Sequence, residues 1–126
     1  MSYRSPLARA RGLGSAREGA GHWWAQRLTA VALVPLCLWF ATGLVGLVGA
    51  DHAAVKAWVG MPINAALLVV LIVAVFHHAQ LGLQVVIEDY VHSEGLKIAG
   101  IMIGKFAAIL LGLAGVFAVL KISFGG

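Results

Sequence analysis

Three apolar stretches, about Leu28 to Val48, Ile63 to Ile87 and Ile98 to Leu120, constrain this chain more than anything else in it. Each is long enough to cross a hydrocarbon core of about 30 Å at about 1.5 Å per residue. Backbone N–H and C=O groups find no water in lipid, so segments of this kind span as helices that satisfy their own hydrogen bonds. The chain has 126 residues, of which 61% are hydrophobic and only 11% charged, the balance of a membrane protein rather than a soluble domain. The fold expected is therefore an all-α membrane protein with three transmembrane helices. Residues 1–21 are expected to form a basic cytoplasmic arm, extended or ordered only by a partner, and residues 22–126 the three-helix transmembrane domain.

Charge sets the expected orientation. Five of the nine basic residues, Arg4, Arg9, Arg11, Arg17 and Arg27, lie at the start, against Glu18 alone. By the positive-inside rule the N-terminus is cytoplasmic, the Asp51 to Pro62 loop outside, the Glu88 to Lys97 loop inside and the C-terminus outside. The first apolar stretch exceeds the roughly 7–15 residues of a signal-peptide h-region, so it reads as a retained span. The formal charge of +4 suits an arm beside anionic lipid headgroups or a soluble partner; there is no folded basic domain to bind nucleic acid. The basic start favours a bacterial inner membrane, with a mitochondrial inner membrane as the alternative. Cys37, the sole cysteine, allows no internal disulfide and reads as a small buried residue.

Pro35 removes a backbone donor inside the first helix, which neighbouring membrane helices make tolerable. In the third, Gly100, Gly104, Ala108 and Gly112 recur at four-residue spacing, a stripe that lets another backbone approach closely, whether within this chain or outside it. No phosphate-binding loop, Cys-x-x-Cys pair or nucleophile with a base at recognisable spacing is present. The chain carries no self-contained catalytic centre.

Titratable groups nevertheless lie in and at the end of the second span, in the run His77-His78 to Glu88-Asp89-Tyr90. Ionisable residues in hydrocarbon are costly and usually mark function. From His78 to Asp89 is eleven residues, about three turns, so the two share one helix face at about 16 Å separation. A neutral imidazole at mid-helix can ligate haem iron, or it can simply hydrogen-bond across helices. Iron takes two axial ligands, and His77 points about 100° away from His78 on the helix. His22, His52 and His92 fall near helix ends, so a second ligand would come from another chain.

Two blocks give the chain a family resemblance: His22-Trp23-Trp24-Ala25-Gln26-Arg27-Leu28-Thr29-Ala30 at the first helix, and His78 through Gln84-Val85-Val86 to Asp89-Tyr90-Val91-His92. With these, the chain resembles the D-type hydrophobic membrane-anchor subunit of succinate dehydrogenase (succinate:quinone oxidoreductase, respiratory complex II) over nearly its whole length. The resemblance implies half of a two-subunit helical bundle that holds one b-type haem between a D-type and a C-type anchor. It implies His78 as this chain's axial iron ligand and Arg27 as the residue reaching a haem propionate. It also implies Tyr90 as hydrogen-bond donor to a ubiquinone carbonyl, with Asp89 beside it for proton delivery, close to the iron–sulfur subunit. Electrons would pass from succinate through the flavoprotein and iron–sulfur subunits to ubiquinone, or the reverse in a fumarate reductase. This chain would not touch succinate.

The same residues admit plainer readings. Tyr90 can be an interfacial belt residue, Asp89 a helix-end carboxylate, and Arg27 a snorkelling cation. His22, Trp23 and Trp24 read as an interfacial anchor, with the alternative that a tryptophan lines the quinone pocket, and Lys105, about two turns into the third span, as snorkelling or meeting a propionate or lipid headgroup. Glu88 and His92 read as solvated or docked on a partner. Two alternative functions follow: a small transporter or proton-conducting subunit using His77, His78, Asp89 and Lys105, or a purely structural anchor.

Overall fold

A computed structural model describes residues 16–125; of the arm, residues 1–15 lie outside the described part. Among the described residues there are four helices and no strands: α1 (Ala16–Gly46), α2 (His52–Gly60), α3 (Pro62–Tyr90) and α4 (Glu94–Ser123). The three long ones are the expected spans. α3 and α4 run past both ends of their apolar stretches and α1 starts twelve residues before its own, because helical hydrogen bonding continues through polar flanks; α1 stops at Gly46, two residues short of Val48. Ala16–Gly21 is already helical in α1, so the first helix begins inside the stretch expected to be extended or ordered only by a partner. Pro35 lies inside α1 without ending it.

The short helix α2 occupies what the sequence reads as a loop. Its cap explains it: the Asp51 carboxylate accepts from the Ala54 backbone N–H at 2.8 Å, satisfying one of the unpaired donors of a first turn. α2 stops at Gly60 and α3 starts at Pro62, where a missing N–H costs nothing. α4 begins on a weaker cap, Ser93 Oγ accepting from the Leu96 N–H at 3.5 Å.

α3 is the central helix. α1 and α4 both pack on it and not on each other, while α2 lies against α3 and α4. The α3–α4 seam is made by the small-residue stripe, whose neighbour is thus within this chain. A Cβ on Gly100 would come within 3.3 Å of Ile87, one on Gly104 within 3.0 Å of Leu83, and one on Gly115 within 3.3 Å of Ile72. The glycines let branched side chains of α3 sit on the α4 backbone, the close contact that drives association where no hydrophobic effect separates helix from lipid.

The tightest packing lies toward the α2 end. Ala65, Leu68, Leu71 and Val119 form the buried cluster, flanked by Leu36, Trp39, Phe40 and Trp58. Trp39 stacks on Trp58 with centroids 5.5 Å apart. Asn64 is buried here and donates to the Trp58 carbonyl at 2.9 Å, tying the last turn of α2 to the first of α3. No described residue of α1 is fully buried, and its outer face presents Val31, Val34 and Leu38. Cys37 is exposed on the same helix, correcting the expectation that it is buried: a long apolar helix in lipid need not hide its small residues inside.

Candidate functional site

The opposite half of the bundle, where the first turns of α1 meet the last turns of α3, is more loosely packed and more polar. His78 is half-buried there, facing α1. Its Nδ1 lies 3.0 Å from Thr29 Oγ1. Its Nε2 has no hydrogen-bond partner among the described residues, and it is not one of the unpartnered atoms sealed from the surface. One turn along α3, Gly82 admits Gln26: a Cβ there would lie 3.6 Å from Gln26 Nε2. Gln26 Oε1 and His22 Nε2, a turn apart on α1, are buried without a partner among the described residues. Such atoms cost free energy unless something satisfies them.

His77 points elsewhere. It is exposed and lines a groove of about 390 Å³ between α3 and α4, with Gln80 and Lys105. The two histidines therefore serve different surfaces, as their 100° offset requires. From the groove a ladder of side chains descends α3: Gln80 Nε2 donates to Gln84 Oε1 at 3.2 Å, and Gln84 Nε2 donates to Glu88 Oε1 at 3.0 Å.

Asp89 and Tyr90 close α3 and are exposed, Tyr90 to 77%. His78 and Asp89 lie on one uninterrupted helix, but among the described residues no side chain buries Asp89 or Tyr90. Arg27 is exposed, its guanidinium carbon 5.0 Å from the centre of the Trp23 ring one turn back on α1, a cation–π contact. Trp23 meets Trp24 edge to face at 5.0 Å, so the helix entry is an aromatic, interface-type surface. His92 is exposed beyond the end of α3. Among the described residues the one ion pair is Lys97 with Glu94, at 3.5 Å.

The model of the succinate dehydrogenase/fumarate reductase transmembrane subunit family matches residues 1–114. The chain belongs to this family. A succinate dehydrogenase hydrophobic membrane anchor subunit of Rickettsia bellii is 34% identical over 117 residues, covering 93% of this chain and 94% of the relative. One of Paracoccus denitrificans is 30% identical over 125 residues, covering 99% and 96%. The succinate dehydrogenase membrane anchor subunit of Reclinomonas americana is 30% identical over 96 residues, covering 74% and 80%. No solved structure matches the chain. As a transmembrane subunit of this family it works within a complex, which accounts for sites left open on its own surface.

These residues fit an axial haem ligation. His78, half-buried on a membrane helix, offers a ring nitrogen, Nε2, without a hydrogen-bond partner among the described residues. Sequence reasoning missed Thr29, Gln26 and the Gln80–Gln84 ladder. The ladder was visible as four-residue spacing. Thr29 was not, since its meeting with His78 depends on how α1 docks on α3.

Proposed function

We propose that this chain is the hydrophobic anchor of a succinate dehydrogenase, pairing with a second hydrophobic subunit and docking the iron–sulfur and flavoprotein subunits on the cytoplasmic side of the membrane. The observation that carries the proposal is the half-buried His78, with Nδ1 against α1 and Nε2 without a partner among the described residues. His78 Nε2 would ligate the iron of a b-type haem shared with the second anchor. Bound there, haem would supply one-electron redox capacity within the membrane. Arg27, exposed and without a carboxylate partner among the described residues, suits a propionate at the membrane edge.

Tyr90 and Asp89 would serve ubiquinone. Reduction of a quinone to a quinol takes two electrons, here from succinate through the soluble subunits, and two protons from water. Negative charge gathers on the carbonyl oxygens as electrons arrive, and a phenol O–H donating to one of them stabilises it. Asp89, at the watered end of the helix, would pass protons toward the same oxygen. The exposure of both residues suits a pocket completed by the partner subunits.

The test is a reduced-minus-oxidised absorption spectrum of the complete complex, wild type against His78→Ala. A b-type signal in the wild type that is lost or altered in the variant supports the reading. An intact wild-type complex without haem removes His78 as a ligand and leaves a structural anchor.

A further inference from the structure

The contact between His78 and Thr29 says more than that two helices touch. Thr29 Oγ1 lies 3.0 Å from His78 Nδ1, and the same oxygen lies 2.8 Å from the Ala25 carbonyl and 3.0 Å from the Gln26 carbonyl. A hydroxyl has one proton to give, and the carbonyls have none. With that proton on the Ala25 or Gln26 carbonyl, the threonine oxygen turns a lone pair to the imidazole, and Nδ1 must be the donor. A neutral imidazole carries one N–H, so its Nε2 is then a bare lone pair.

The reverse arrangement is electrostatically worse. Were the hydroxyl to donate to Nδ1, two carbonyl oxygens would face the threonine oxygen at 2.8 and 3.0 Å with no hydrogen between them. It would also place the ring's hydrogen on Nε2, the nitrogen facing away from α1. In helices, threonine divides between two rotamers because its hydroxyl can bond the preceding turn. Here that bond fixes the oxygen which the ring meets.

We infer that Thr29 is the positioning residue of the haem site: it selects the Nδ1–H tautomer of His78, sets the ring's rotation, and so presents the Nε2 lone pair to iron. The inference rests on the haem ligation proposed above. Its chemistry is that of a ligand histidine whose second nitrogen donates to an oxygen acceptor, which orients the ring and raises its basicity. Thr29 is reached across 49 positions of chain, so the docking of α1 on α3 and the readiness of the ligand are one event. The Gln26–Gly82 approach a turn away holds the two helices at the separation the contact needs.

The experiment uses the whole complex in mild detergent with Thr29→Val, Thr29→Ser and His78→Ala, measuring subunit stoichiometry, haem per complex, the reduced-minus-oxidised spectrum and the haem midpoint potential. Valine keeps the shape and removes the acceptor. Thr29→Val is expected to weaken haem retention by about 10- to 100-fold, and the haem that stays is expected to show a raised potential, because a ligand that no longer donates is less basic. Thr29→Ser is expected to restore both. If Thr29→Val does not assemble, Thr29→Ala, which only shortens the side chain and favours the helix, is read in its place. Wild-type retention and potential in the variant lacking the hydroxyl, with haem lost in His78→Ala, overturns the role of Thr29 and leaves His78 standing. Undiminished haem with an unaltered spectrum in His78→Ala overturns the ligation itself.

Discussion

The indole of Trp58 occupies the space a side chain on Gly43 would need: a Cβ built there would fall 2.5 Å from Trp58 Cζ2. The ring cannot step aside cheaply, since it is stacked on Trp39 at 5.5 Å and 21°. Gly43→Ala is therefore expected to push α2 off α1 and cost about 1–3 kcal/mol, the usual range for overpacking. Denaturant titration in detergent, followed by tryptophan fluorescence, checks this. Gly46→Ala, three residues on and with open space around it, should leave the transition unchanged or raise it slightly, because alanine is the better helix former.

Asn64 makes the same junction from the other side. It is 8% exposed and donates to the Trp58 carbonyl at 2.9 Å. Asn64→Leu should cost about 0.5–1.5 kcal/mol, the net worth of one hydrogen bond, because the Trp58 carbonyl keeps only the longer bond from the Met61 N–H at 3.4 Å. Asn64→Asp should cost more, since a buried carboxylate would face a carbonyl oxygen instead of donating to it. Hydrogen exchange of α2 amides is the direct readout: protection should fall in α2 before it falls in α4.

What the sequence disclosed follows from which forces are local. Lipid solvation is read residue by residue, so the spans were legible from Leu28, Ile63 and Ile98 onward, and the stripe from Gly100 to Gly112 was legible as a packing face. Helix α2 was hidden because nine residues that start at His52, carry Lys56 and end at Gly60 look like a loop until Asp51 is recognised as their cap. Of the candidate site, the 100° offset of His77 from His78 was fixed by helix geometry alone. The partners were not. Thr29 against His78, and Lys105 beside His77 and Gln80, are set by the rotation of α1 and α4 about α3, which no spacing within one helix records.

The offset of the histidines gives a prediction of its own. His77 lines the α3–α4 groove while His78 faces α1. His77→Ala should keep haem per complex and the reduced spectrum at wild-type values, whereas His78→Ala should lose or alter them. Reversal of that pattern would exchange the two roles and place the ligand in the groove beside Lys105.

Tyr90 tests the other end of α3. Its side chain is 77% exposed at the final helical residue and packs into no core, so Tyr90→Phe should not disturb folding or assembly. Removing the hydroxyl removes one hydrogen bond to a quinone oxygen that gains negative charge during reduction, worth about 1.5–3 kcal/mol where the acceptor is charged. At 1.4 kcal/mol per tenfold, succinate-driven quinone reduction should fall by about one to two orders of magnitude. Succinate oxidation with an artificial acceptor that draws electrons from the soluble subunits should be unchanged. Equal loss of both activities would mean that Tyr90 supports the docking of those subunits rather than the quinone, and measuring the two rates on one preparation separates these outcomes.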